Sequence, residues 1–198
     1  MSNGIVAESA VERPGSRVRT AAESRAAAQL LKRLDAFIKD EVKKSFGFYF
    51  APSQKALREL RKTKVGSVAL TEQPEGGGFL LHLSGGDPAA KSDGRTEGFC
   101  IRLPEEFERE ASGRKVQIKV LVRSAGLEPT RIAIAYSTNE VGNSGWQWKD
   151  VAPSWGICKM AWKVPPMKAG GGDFVGLMPD KSGAGGVEVH SVLATVIE

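Results

Sequence analysis

Apolar residues recur with two different periods along this chain, and the change divides it. Between residues 20 and 65 the spacing is helical. Leu30, Leu31, Leu34, Phe37, Ile38 and Val42 form one stripe, while Lys32, Arg33, Asp35, Lys39 and Lys43 fall on the opposite side. Thr20 stands three residues before Glu23, the spacing of a capping box, in which hydroxyl and carboxylate satisfy free backbone donors. The pattern predicts one amphipathic helix of about 25 residues. Pro52 and Ser53 then open a shorter predicted helix over 54–62, with Leu57 and Leu60 on one side. Before both helices, Pro14-Gly15-Ser16 breaks any periodicity, so residues 1–19 are expected to be a mobile tail.

From residue 66 the period falls to two. Alternation predicts strands over 66–71, 79–83, 99–103, 116–123, 131–137, 145–151, 157–164, 173–179 and 187–197, with glycine-rich turns between them. About nine strands with one apolar face make the fold class mainly β. The expected architecture is an antiparallel β-sandwich, jelly-roll-like, over 66–198, preceded by a helical arm over 20–65. One helical turn interrupts the strands at Pro104-Glu105-Glu106-Phe107-Glu108, and its glutamates read as a solvated face.

Charge follows the same division. Residues 1–65 hold 14 Lys/Arg against 7 Asp/Glu, whereas residues 66–198 hold 14 against 16. The arm is therefore basic and the sandwich is not. Between the predicted helices, Phe46, Phe48, Tyr49 and Phe50 place four aromatics in five residues. The stripe and these aromatics fit docking onto the sandwich or a homo-oligomer formed through the helix. A basic amphipathic helix with terminal aromatics also fits an anionic membrane surface, less well. Nucleic acid is the weaker fit, because the helix lacks the dense Arg/Lys spacing of phosphate readers.

Several classes fall away. No apolar run approaches the ~20 residues that span a bilayer. The first residues lack an apolar signal core, so a cytoplasmic location is expected. Alternation points Cys158 inward and Cys100 outward, so no disulfide is expected between these two cysteines. His82 and His190 lie opposite the apolar set of their strands and are isolated in sequence, short of the three or four ligands of a zinc site. Asp87, Asp93 and Asp180 are explained by turn chemistry rather than calcium. No nucleophile, metalloprotease or phosphate-loop motif is present, so neither cofactor nor catalysis is expected.

The candidate chemistry is aromatic. Trp146, Trp148, Trp155 and Trp162 are all the tryptophans of the chain and lie within 17 residues. An exposed indole offers a flat apolar surface with a polar edge, which suits the C–H face of a sugar. Asn143, Gln147 and Asp150 stand nearby to read hydroxyls. Trp162 shares the inward face of Cys158 and Met160 and belongs to the core. Trp146 and Trp148 share a face with each other. Trp155 follows Pro153-Ser154 at a strand start and is expected to be exposed. The candidate ligand-binding set is Trp155, Trp146, Trp148, Asn143 and Asp150.

The stretches FCIRLPEEFEREASGRKVQIKVLVRSA, IAIAYSTNEVGNSGW and DFVGLMPDKSGAGGVEVHSV add a resemblance. They resemble a β-sandwich domain of bacterial proteins associated with surface polysaccharides, similar to the jelly-roll, galactose-binding-like carbohydrate-binding modules. The resemblance covers about residues 66–198. It implies a non-catalytic glycan-binding or assembly role, with the helical arm serving oligomerisation or docking. The alternative is a self-assembling shell- or filament-forming subunit with a basic arm.

Overall fold

The structure is a computed structural model that describes residues 20–54, 67–73, 78–85, 98–168, 172–181 and 185–197. The expected tail over 1–19, nearly all of the short helix over 54–62, and Asp87 and Asp93 lie outside the described residues.

Helix α1 (Ala21–Lys44) begins at the expected capping box. The Glu23 amide donates to the Thr20 hydroxyl at 3.2 Å, and the Thr20 amide donates to the Glu23 carboxylate at 2.8 Å. Ser45 ends the helix in an extended conformation, and the chain turns directly into β1 (Gly47–Phe50). This strand was not expected: the four aromatics, read as docking the helix onto the sandwich, lie in or beside a strand of it. Aromatic side chains suit a pleated surface packed on both faces. Phe48 and Phe50 turn into the sandwich core, and Tyr49 turns out towards α1. Gly47 lets β1 approach its neighbour, since a Cβ there would lie 3.1 Å from the Ala194 carbonyl oxygen and the Thr195 methyl.

The remaining elements are β2 (Ser67–Glu72), β3 (Phe79–Ser84), β4 (Phe99–Arg102), helix α2 (Glu105–Ala111), β5 (Lys115–Ser124), β6 (Thr130–Ser137), β7 (Gln147–Val151), β8 (Gly156–Lys163), β9 (Phe174–Pro179) and β10 (Val187–Val196). The nine expected strands are all present, and β1 makes ten. They form two antiparallel sheets. The first runs β2-β3-β10-β5-β8, with β1 also paired to β10; the second runs β4-β9-β6-β7. Along one edge of β10, residues 187–189 pair with β3 and residues 192–195 pair with β1. The first sheet thus takes one strand from the stretch expected to be a separate arm.

The chain passes repeatedly between the sheets. In particular β7 belongs to the second and β8 to the first, with Pro153 and Ser154 in the corner between them. Inward residues of both sheets fill one core, including Leu81, Ile118, Val120, Ile132, Ile134, Tyr136, Met160 and Leu177. Cys158 and Trp162 pack against it as expected. A bulge at His190 shifts the register of β10 against β5, so Val187 and Val189 face the core before it and Val192, Ala194 and Val196 after it.

Both cysteines are free thiols. Cys100 points outward as expected and is buried there, and its thiol donates to the Gly98 carbonyl at 3.3 Å. The glutamates of α2 also divide. Glu105 and Glu106 are exposed, but Glu108 is fully buried. Its carboxylate accepts the Asp173 amide at 2.7 Å and the Gly172 amide at 3.2 Å, so it satisfies the backbone where the chain enters β9. The expected solvated face holds for two of the three.

Candidate functional site

The two sheets present outer faces of different character. On the first, α1 lies across the strands. Leu31 and Ile38 are buried against Leu80, Leu121, Leu193 and Trp155, with Leu30, Leu34 and Val42 beside them. The stripe offered by the sequence to a partner is therefore covered by the chain's own sheet. Phe37, counted with that stripe, is 49 % exposed, and Lys119 lies 5.9 Å from its ring centroid. Charges brace the contact. Glu41 of α1 pairs with Lys119 of β5, and the Tyr49 hydroxyl donates to Asp35 at 2.6 Å. Burial opposes ionisation of Asp35, but hydrogen bonds from Lys39 and Tyr49, with the nearby His190, hold its carboxyl below the usual range. His190 is neither isolated nor on an open surface: its Nδ1 lies 3.7 Å from Asp35, and burial depresses its pKa. His82, also on this face, is half-buried.

Trp155 sits in this interface and not in solvent. It is 4 % exposed. The pairing of Val122 with Gly156 places the preceding residue, Trp155, beside Arg123, whose guanidinium lies 4.5 Å over the indole. Arg123 in turn donates to Glu188 at 2.6 Å. The expectation of an exposed platform failed because a strand start is exposed only if nothing packs on that face. Here α1 does.

The second sheet carries no helix among the described residues. Its outward positions follow from register. Ile132 and Ile134 face the core, so Arg131, Ala133, Ala135 and Ser137 face out on β6. Across from them, Trp148 pairs with Ala133 and Asp150 with Arg131. Met178 and Gly176 continue the face on β9, and Cys100 and Arg102 on β4. Small side chains therefore make a low floor of Ala133, Ala135, Gly176 and Cys100. Trp148 and Trp146 are half-buried, while Arg131, Asp150 and Arg102 are exposed.

Trp146 crosses that floor. It precedes the Ile134–Gln147 pair and so shares the face of Ala135. Its ring reaches the start of β4: a Cβ built on Gly98 would lie 2.7 Å from the Cη2 of Trp146. Gly98 has φ +142°, a conformation that disfavours a side chain, and it is the residue that lets the indole lie there. Asn143 stands in the turn that leads in, where its side-chain oxygen accepts the Gly145 amide at 2.9 Å and is engaged in shaping the turn. Gln147, on the opposite face of β7, donates to the Ala161 carbonyl at 3.3 Å.

The structure thus gathers Trp146, Trp148 and Asp150 on one face, sets Asn143 at its end and sends Trp155 to the other sheet. Two contributors were missed, Arg131 and Gly98. The first carried a signal as a charged residue alternating with Ile132 and Ile134; the second carried none without the fold.

No family model matches the sequence, and no curated protein matches it. Solved structures do match in fold. The CBM22-1 xylan-binding domain from Paenibacillus barcinonensis Xyn10C superposes with a TM-score of 0.50 at 13% identity, covering 76% of this chain and 94% of that domain. The C-terminal family 22 carbohydrate-binding module of Clostridium thermocellum Xyn10B gives a TM-score of 0.52 at 12% identity, covering 77% and 94%. The CBM22-1–GH10 modules of the Clostridium thermocellum endo-1,4-beta-D-xylanase 10B, solved with xylohexaose, give 0.52 at 13% identity, covering 78% of this chain and 28% of that one. The resemblance to carbohydrate-binding β-sandwiches holds at the level of fold.

Proposed function

We propose that this β-sandwich is a non-catalytic glycan-binding module and that the outer face of its second sheet is the binding surface. The observation that carries the reading is Trp146 laid across a floor of small side chains, beside Trp148. A flat, half-buried indole suits the apolar face of a pyranose ring. Asp150, exposed at the same face, is placed to accept hydroxyl hydrogen bonds. The fold likeness supports the reading, since the matched domains include xylan-binding modules.

A non-catalytic role is supported by the fold likeness to carbohydrate-binding modules. Homo-oligomerisation through the helix drew on a free apolar stripe, and apart from Phe37 that stripe packs on the chain's own first sheet.

Calorimetric titration with xylan and a panel of bacterial polysaccharides tests the proposal. Trp146→Ala and Trp148→Ala are each expected to weaken binding by about tenfold, in line with the ~1–3 kcal/mol per stacked ring known from nucleic-acid systems. Unchanged binding in both variants places the glycan elsewhere, and no binding by the native chain ends the reading.

A further inference from the structure

We propose that the polysaccharide taken by the second sheet is acidic and that Arg131 reads its carboxylate, an inference that rests on reading this face as a glycan surface. The guanidinium of Arg131 lies 4.8 Å from the ring centroid of Trp148. Among the described residues it has no carboxylate within 4 Å and no side-chain hydrogen-bond partner. Asp150 is its cross-strand neighbour but stands outside ion-pair reach. Arg102 adds a second exposed cation to the face.

The first sheet shows what completes such a stack. There Arg123 lies over Trp155 in the same way, and Glu188 closes the arrangement with a 2.6 Å hydrogen bond from Nε. Indole, guanidinium and carboxylate lie together there. The second sheet holds the indole and the guanidinium, and among the described residues no carboxylate, Asp150 included, lies within ion-pair reach of that guanidinium; the ligand supplies one. A guanidinium resting on a ring has already lost much of its freedom, so it pairs with little further ordering. Its planar fork matches the two oxygens of a carboxylate. It also covers part of the surface on which a neutral sugar would stack. Bulk charge does not drive the preference, because residues 66–198 carry 14 Lys/Arg against 16 Asp/Glu.

The test uses the full chain and matched polymers: polygalacturonate, alginate and xanthan, each beside its carboxyl-reduced form. Tighter binding to the acidic member of a pair is expected. Arg131→Gln, at an exposed position, is expected to keep its melting temperature and to lose about tenfold in affinity for the acidic polymer only, the scale of one hydrogen-bonded charge contact. Arg131→Lys restores part of that affinity, and Asp150→Asn increases it by removing a like charge. Equal binding to acidic and reduced polymers overturns the proposal while leaving a glycan surface in place. So does an equal loss on both in Arg131→Gln, which makes Arg131 a residue that only positions Trp148. No binding to any polymer removes the glycan reading itself.

Discussion

On the first sheet Arg123 lies over the indole of Trp155 at 4.5 Å; on the second, Arg131 lies over that of Trp148 at 4.8 Å. The chemistry of the two stacks is the same and their surroundings are opposite. The side chain of Arg123 is 6 % exposed and paired with Glu188, as a buried charge must be. Trp155 packs in the cluster that holds Leu31 and Ile38 of α1, and its indole nitrogen is buried without a hydrogen-bond partner among the described residues. Arg131 is exposed, and water meets its charge. A stack of arginine on tryptophan is thus packing on one face and available recognition chemistry on the other. What separates them, among the described residues, is the amphipathic helix α1, which packs on the first face.

The comparison breaks most easily at the helix. Ile38→Asp is expected to destabilise the protein by about 3–5 kcal/mol, because it puts an unpaired carboxylate into a fully buried contact. Urea unfolding followed by tryptophan fluorescence reads both the loss of stability and the wetting of Trp155. A stable variant with unchanged fluorescence shows that α1 does not hold this face shut.

The next test sets the two indoles against each other. Trp155→Ala is expected to cost ~3–5 kcal/mol, the range for truncating a large core residue, and to leave glycan affinity nearly unchanged. Trp148→Ala is expected to cost about 1 kcal/mol or less and to weaken glycan binding. Paired thermal melts and titrations check both. Equal loss of stability in the two variants erases the distinction between the faces.

The smallest effect is a difference in sign with pH. His190, under α1, has its pKa lowered by burial, so the unfolded chain takes up its proton first. Its contribution is present above the ordinary histidine value near 6.5 and falls away as the pH drops below it. Asp173, at the entry to β9, behaves the other way. Burial, reinforced by the Glu108 and Glu140 carboxylates and opposed by a hydrogen bond from Tyr136, raises it to about 6. A raised carboxyl binds its proton more tightly in the folded chain, so its contribution is full below about 4 and is lost as the pH rises through 6. Melting temperatures from pH 4 to 8 should show His190→Gln removing an acid loss and Asp173→Asn removing an acid gain. Parallel profiles for native and variant proteins would assign the pH dependence to other groups.

Periodicity alone determined most of the fold. The capping box at Thr20 and Glu23, the stripe from Leu30 to Val42 and the alternation of nine strands rest on local spacing. Their physical basis is the fixed geometry of helix and strand. Even the bulge in β10 left a trace, since Val187 and Val189 fall on one parity and Val192, Ala194 and Val196 on the other. Tertiary structure decided which face α1 covers. Trp148 and Trp155 are seven residues apart. The Pro153-Ser154 corner carries one to each sheet, and α1, a hundred residues earlier in the chain, covers only the second of them. Burial depends on contacts distant in sequence, and alternation names a face without saying what lies upon it. The same reason hid β1, which depends on its pairing with the last strand, and Glu108, whose role is to receive the backbone amides of residues 172 and 173.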